Sequence, residues 1–575
     1  MSDSAHIKVV LCWHMHQPQY RNLISGDYFL PWTYLHAIKD YVDMAAHLEA
    51  IPEARAVVNF APILLEQIDD YARQVQGYLT NSTALQDALL AALISPVLPT
   101  KQEQRISLIK SCLRANKERM INYFPPYRRL AEIATLLMAN PDALSYIQDQ
   151  FLADLLVWFH LAWLGETVRR QDNRVEELIK KEAGYTLHDR RILLEIIGEL
   201  LSGVIERYNN LAKRGQVELS MTPYAHPMLP LLLDIKSARE AMPDVQLPAL
   251  ERYPGGEERA RWHIIQGIET FQRFFNFKPK GCWPSEGGIS TATVRLLYEY
   301  GFQWCASGRS VFKNSIKAEH EHSKESHHAK SDRLLYYPYQ VPGAETACFF
   351  RDDGLSDLIG FTYQNWHADD AVANLMHDLK NIADAEPNKP ERVVTIILDG
   401  ENAWEHYPAN GFYFLNALYK KLVENSWVEL TTFSGYLAKK PNILKLPGLV
   451  AGSWVYGTFS TWIGDTDKNK GWNMLGDAKH TFDRVVASGR LSSERLQFAQ
   501  RQLALCESSD WFWWFGDYNP EDSVSDFEQL FRQHLTNLYQ ILGEEPPGYL
   551  TQVFTRGHGA PQLGGVMRPG LEAKG

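Results

Sequence analysis

The sequence predicts an α/β protein: a parallel sheet or barrel of strands alternating with helices, carrying one helical insertion and followed by a helical C-terminal region. Three observations lead there. Short runs of apolar and β-branched residues recur at 7–13, 54–60, 216–221, 278–283, 302–307, 346–351 and 393–398. Helical patterns such as "EERARWHIIQGIETFQRFF" and "STATVRLLYEYG" separate several of them, and such alternation marks parallel sheets with helical crossovers. One connection, from about 64 to 214, is far longer than a crossover needs and is rich in Leu, Ala, Glu and Arg at helical spacing.

In chain order, the runs at 7–13, 54–60 and 393–398 are nearly continuous in apolar character, as strands covered on both faces are. The stretch 64–214, with "FLADLLVWFHLAWLGETVRR" in it, reads as helices inserted into the barrel. Beyond about 436 the pattern shifts to long helices around "SSERLQFAQRQLALCESSD" and "FEQLFRQHLTNLYQIL". The expected division is an α/β domain over 1–436, insertion included, and a helical domain over 437–575. In residues 313–333, His320, His322, His327 and His328 sit among charges without apolar anchors, which reads as a solvated loop. The Gly- and Pro-rich tail from about 555 reads as poorly ordered or draped over the surface.

Composition narrows the function. A net charge of −11 over 575 residues argues against nucleic acid, whose backbone needs a basic surface. Cys12, Cys112, Cys282, Cys305, Cys348 and Cys506 are scattered without a CxxC pair, the pattern of free thiols in a reducing compartment. The N-terminal "MSDSAHIKVVLCWHMHQPQY" lacks a basic region before its short apolar run and is read as neither a signal peptide nor a membrane span. The expectation is a cytoplasmic protein without a membrane or nucleic-acid partner. With 16 Trp and 27 Tyr the chain is rich in flat apolar surfaces, which either fill a core or stack on sugar rings.

The strands lead into chemistry. The run ending at Leu398 meets Asp399, Gly400, Glu401 and Asn402; the first meets His14, His16 and Gln17; the third Thr222, Tyr224 and His226; the fourth Ser285 and Glu286; the sixth Arg351, Asp352 and Asp353. A parallel barrel opens all its C-terminal strand ends on one face and builds its site there. Turn preference favours Asp and Asn, but does not account for histidine, arginine and carboxylate at five ends. There is no Gly-rich phosphate loop ending in Lys-Ser/Thr and no GxSxG elbow. Carboxylates on different strands with aromatic surfaces nearby are the parts of glycoside hydrolysis: one ionised to attack the anomeric carbon, one protonated to serve the leaving oxygen. A second chemistry stays open, because His14 and His16 share one face of a strand, and Asp399 or His226 would complete a Zn site.

These residues resemble glycoside hydrolase family 57, which acts on α-glucans. "HMHQPQY" (14–20), "GQVELSMTPYAHPMLPLL" (215–232), "GCWPSEGGIS" (281–290), "ILDGENAWEHY" (397–407) and "CESSDWFWW" (506–514) are similar to its five regions, in order. "TPYAHP", "FRDDGLSDLIGF" and "TWIGDTDKNKGWNML" look most like its α-amylase and amylopullulanase-type members.

The resemblance implies an incomplete (β/α)7 barrel followed by a helical domain that contributes to the rim of the site. It also implies a retaining attack on α-1,4 bonds of starch, glycogen or maltooligosaccharides, with α-1,6 cleavage as an accompanying activity and 4-α-glucanotransferase or branching activity as alternatives. Glu286 would be the nucleophile and Asp399 the acid/base, held about 5–5.5 Å apart. Glu401 and Asn402 would help keep Asp399 protonated, or Glu401 would itself be the acid. His14, His16 and His226 would bind sugar hydroxyls, and Asp510 would belong to the substrate rim. Arg351 and Asp352 would pair with each other and orient Glu286 or the sugar. Trp283, Trp404, Trp462, Trp511, Trp513 and Trp514 are candidate stacking platforms. No cofactor and no metal are expected.

Overall fold

The computed structural model describes residues 7–323, 333–559 and 567–570. The strands are β1 (Ile7–Met15), β2 (Ala56–Phe60), β3 (Val217–Met221), β4 (Gly281–Cys282), β5 (Trp304–Gly308), β6 (Tyr339–Gln340), β7 (Ala347–Arg351), β8 (Val393–Asp399), β9 (Val428–Thr431) and β10 (Leu444–Lys445). They form one sheet in the order β10-β6-β7-β5-β4-β3-β2-β1-β8, with β9 pairing the first half of β1. From β7 round to β8 every pairing is parallel, and β6 meets β7 antiparallel.

The two ends of this path come together. The Asp352 N–H donates to the Thr395 carbonyl at 2.8 Å, and Arg351 Nε donates to the Ile397 carbonyl at 2.7 Å. Seven parallel strands thus curl into a barrel whose β7–β8 seam lacks a full ladder, the incomplete (β/α)7 barrel expected. The apolar character of β1 now has a cause. Val10 and Cys12 join Val57, Trp304, Phe349 and Ile397 in the barrel interior, while Val9, Leu11 and Trp13 pack against the surrounding helices.

Helices fill the connection from Pro62 to Lys213, matching the expected insertion. Its longest helix, Leu187–Lys213, starts at a capping box of Thr186 and Asp189 and packs against Pro62–Asn81. After the barrel come Thr466–Ala487, Ser493–Cys506, Ser509–Trp514 and Glu521–Leu542. The sheet itself runs past residue 436, because β10 pairs with β6. Among the described residues no helix is long and apolar enough to cross a membrane.

One expectation needs correction. Residues 313–323, expected as loop, continue the helix Arg309–Ser323; 324–332 lie outside the described residues. The tail is docked in part. Gly570 N–H donates to Asp357 at 2.9 Å, and the Arg568 guanidinium lies 4.7 Å over the Trp513 ring.

Candidate active site

At the C-terminal edge of the barrel one row of residues crosses four neighbouring strands. Asp399 of β8 is opposite His14 of β1, His14 opposite Asn59 of β2, and Asn59 opposite Ser220 of β3. Directly paired residues of neighbouring strands share a face, so register alone brings these side chains to one place. Asp399 and His14 of this row face a cavity of about 280 Å³ that is also lined by Glu286, Glu401, Asp510, His16 and His226. Trp32, Trp163, Trp454, Trp513 and Trp514 contribute its aromatic walls.

Glu286 is set by an unusual backbone. It has φ 59° and ψ 22°, followed by Gly287 at φ 57°. A non-glycine residue there is strained, at a cost of order 1–3 kcal/mol, and persists only where surroundings over-determine it. Trp454 supplies much of that determination. Its backbone N–H donates to the Glu286 carbonyl at 3.1 Å and its Nε1–H to Glu286 Oε2 at 3.2 Å. Ser509 Oγ donates to Oε1 at 3.2 Å. The helix Ser509–Trp514 is itself tied down, since the Ser509 N–H donates to the carbonyl of His226 at 2.9 Å.

Asp399 sits at the last position of β8, half-buried, and accepts a hydrogen bond from Asn402 Nδ2 at 3.0 Å. The next residue must be small. A Cβ on Gly400 would lie 2.2 Å from Met15 Sδ, and the Gly400 N–H donates to the His14 carbonyl at 2.7 Å. Glu401 spends its Oε1 on the His16 N–H and the Gln17 amide, each at 3.2 Å, tying the end of β8 to the end of β1.

Both central carboxyl groups are pushed toward the protonated form. Burial, then the negative charges of Asp510 and Asp399, raise Glu286 to about 8, against the hydrogen bonds of Trp454 and Ser509. Burial raises Asp399 to about 6, while Asn402, His16 and Arg351 oppose it. Asn402 therefore acts opposite to expectation and favours ionised Asp399. Burial also drives His14 and His226 toward the neutral form, His14 down to about 3 and His226 well below its ordinary value.

His16 binds Asp510 at 2.9 Å, with Ser508 also donating to that carboxylate. Both ring nitrogens of His14 are occupied, by Asn59 at 2.8 Å and His226 at 3.1 Å, so it offers no lone pair to an ion. His16, His226 and Asp510 are near enough together to reach one. The His16 and His226 rings, however, stack at 3.8 Å with planes 14° apart, so their in-plane lone pairs run side by side rather than converge.

Several expected site residues stand elsewhere. Trp283, Trp404, Trp462 and Trp511 are buried and do not line the cavity. Trp283 fills the barrel interior, and Trp404 packs on Trp13 and donates Nε1–H to the Gly400 carbonyl. Trp462 is core packed beside Trp513, and Trp511 donates to the Leu505 carbonyl among Phe527 and Phe531. Arg351 pairs with Asp353 and Asp357 at 3.0 and 2.9 Å, not with Asp352, and its charge bears on Asp399. Asp352 caps the helix Asp353–Asp357 through the Leu355 N–H and accepts from Tyr336. The expectations passed over Trp454, Ser509, Asn59, Trp32 and Trp163. Trp454 follows a Gly-Ser pair and Trp163 ends an apolar helix, and neither context marks a cleft.

The chain matches the family model described as Glycosyl hydrolase family 57 over residues 10–447. Among curated proteins no match was found. Solved structures share its fold at low identity. A branching enzyme from Thermococcus kodakaraensis has a TM-score of 0.55 at 15% identity, covering 93% of this chain and 90% of its own. One from Pyrococcus horikoshii reaches 0.54 at 14%, covering 98% and 99%. The α-amylase AmyC from Thermotoga maritima reaches 0.54 at 14%, covering 93% of each. With a family model spanning most of the barrel, and a fold shared along nearly the whole length, this chain belongs to glycosyl hydrolase family 57.

Proposed function

We propose that the protein is a retaining glycoside hydrolase of α-1,4-glucans, with Glu286 as nucleophile and Asp399 as general acid/base. The observation that carries this is the meeting of Glu286, in the turn beyond β4, and Asp399, at the end of β8, in one tryptophan-walled cavity. Glu286 attacks the anomeric carbon while Asp399 gives its proton to the leaving oxygen; water, deprotonated by Asp399, then releases the sugar. His16 and Asp510 bind sugar hydroxyls, His14 and His226 having both ring nitrogens engaged by protein partners, and the exposed faces of the cavity tryptophans stack on the rings. The experiment is product analysis on glycogen and maltoheptaose. Release of shorter maltooligosaccharides with new reducing ends is expected, and α-1,6 cleavage would appear as linear chains from a branched substrate. Products longer than maltoheptaose would instead identify a transferase resolving the same intermediate with a sugar hydroxyl.

The two carboxyl groups titrate as a pair sharing one proton. Below about 6 both are protonated and the nucleophile is lost; above about 8 both are ionised and the acid is lost. For the neutral substrate maltoheptaose, kcat/KM is therefore expected to be bell-shaped with limbs near those values. Activity still climbing above pH 9 would show that no protonated carboxyl group is needed.

A metal-dependent hydrolase, of deacetylase or α-mannosidase type, is the second reading, because His16, His226 and Asp510 lie within reach of one ion. Exhaustive chelation separates the two. Glucan cleavage is expected to survive it unchanged, and loss restored by zinc would favour the metal.

A further inference from the structure

From Oε1 of Glu286 a line of side chains runs into the barrel wall. Ser509 Oγ is 3.2 Å away, His226 Nδ1 lies 2.8 Å beyond it, His226 Nε2 is 3.1 Å from His14 Nε2, and His14 Nδ1 is 2.8 Å from the amide of Asn59. All five residues are buried. Each of the four links needs one hydrogen. Each neutral imidazole has one N–H and Ser509 has one O–H, so three hydrogens serve four links. The fourth must come from one end of the line.

If Asn59 offers its oxygen to His14, then His14 donates from Nδ1, His226 from Nε2 and Ser509 to His226. Glu286 must then carry a proton to complete the last link. If the amide turns its NH2 to His14, every donor reverses. His14 donates from Nε2, His226 from Nδ1, and Ser509 to an ionised Glu286. The two amide orientations have nearly the same shape, so the choice falls to the neighbouring partners.

Those partners favour the second arrangement. Thr222 Oγ1 is 2.8 Å from the amide atom facing His14 and 2.9 Å from the Trp283 carbonyl, which can only accept. With oxygen facing it, Thr222 has one hydrogen for two acceptors. With NH2 facing it, Asn59 donates to both His14 and Thr222, and Thr222 donates to Trp283. Ser220 Oγ, 3.0 Å from the other amide atom, donates to the Asn59 oxygen. Every group in the network is then served.

We propose that Ser509 is a positioning residue for Glu286, and that the line Ser509–His226–His14–Asn59, with the Asn59 NH2 turned to His14, supports Glu286 as an ionised carboxylate. This rests on the reading of Glu286 as nucleophile. When Glu286 ionises, its proton leaves to water in the cleft; each imidazole keeps one N–H whose position changes, and the Asn59 amide turns with it. The line opposes the upward push of burial, which otherwise leaves the shared proton on Glu286 rather than on Asp399.

Two measurements on the full chain test it. In histidine-labelled protein, nitrogen NMR at pH 9 is expected to place the hydrogens on His14 Nε2 and His226 Nδ1, and at pH 5 on His14 Nδ1 and His226 Nε2. Tautomers that stay the same from pH 5 to 9, or a His14 Nδ1–H at pH 9, would overturn the line, whatever the substrate proves to be. The second measurement is the pH profile of kcat/KM for Ser509→Ala and Ser509→Thr. The productive form, with Glu286 ionised and Asp399 protonated, is the minor singly protonated form, so a stronger hold of Glu286 on its proton depletes it. Ser509→Ala is expected to lower the plateau about tenfold and to move the alkaline limb up by about one pH unit, and Ser509→Thr to restore both. A lower plateau with an unmoved limb would mean that Ser509 only packs. A wild type without action on any α-glucan would defeat the proposed function, while the tautomer measurement would still decide the line.

Discussion

Glu286→Gln is expected to lower kcat/KM on maltoheptaose by roughly 10⁴- to 10⁶-fold and, at the same time, to stabilise the folded protein at neutral pH. The first effect follows from replacing the attacking carboxylate by an amide that cannot form the glycosyl ester. The second follows from linkage. Burial raises Glu286 from its ordinary value of 4.5 to about 8. Between those values the folded chain holds a proton that the unfolded chain has released. Stability therefore falls as pH rises through that window, by up to about 5 kcal/mol at 1.36 kcal/mol per pH unit. The uncharged amide escapes this loss. Unfolding by urea should show the variant and the wild type nearly equal at pH 4.5 and the variant ahead by several kcal/mol at pH 8. An advantage independent of pH would mean that Glu286 is not held protonated by burial.

Arg351→Met is expected to destabilise the protein by about 3–5 kcal/mol, the usual cost of leaving a buried charge without its partner. Arg351 closes the β7–β8 seam through the Ile397 carbonyl and pairs with Asp353, which is fully buried. Asp353 already stands at about 6 because of burial, with Arg351 opposing. The guanidinium also lies 5.3 Å over the ring of Trp454, whose indole N–H holds Glu286, so activity should fall with stability. Adding Asp353→Asn should recover much of the stability, because it removes the charge left unpaired. A single variant as stable as the wild type would show that the strands close the barrel without this staple.

What was legible in the sequence depended on periodicity and on strand ends. The runs that became β1, β2 and β8 were legible because strands buried on both faces need apolar residues without interruption, and those of β3, β4, β5 and β7 as shorter strand-like runs among helical patterns. Strands β6 and β10 have two residues each, too few for any pattern, and β4, equally short, was found only because the run 278–283 extends beyond it. Glu286, Asp399, His14, His16 and His226 could be grouped because parallel strands deliver their ends to one face, whereas Asp510, on the helix Ser509–Trp514, was reached only through the family resemblance. The tryptophans could not be sorted. Trp404 follows a short polar turn and Trp454 a Gly-Ser pair, and only the elements packed around them make one core and the other cleft wall. Trp163 comes from the inserted helices, whose apolar pattern reads as core throughout. The left-handed backbone at Glu286 was hidden as well, because the two glycines after it are where such a conformation would be sought.

The most direct test is to trap the intermediate. A fluorinated α-glucosyl fluoride that forms the glycosyl ester quickly and releases it slowly is incubated with the wild type, and the digested protein is weighed by mass spectrometry. The account predicts one added sugar on the peptide containing Glu286, absent from Glu286→Gln and present, though slower to turn over, in Asp399→Asn. A sugar attached to Asp399 or Glu401 would contradict the assignment of the nucleophile. Cleavage of glucan with inversion and no attached sugar would contradict the retaining mechanism.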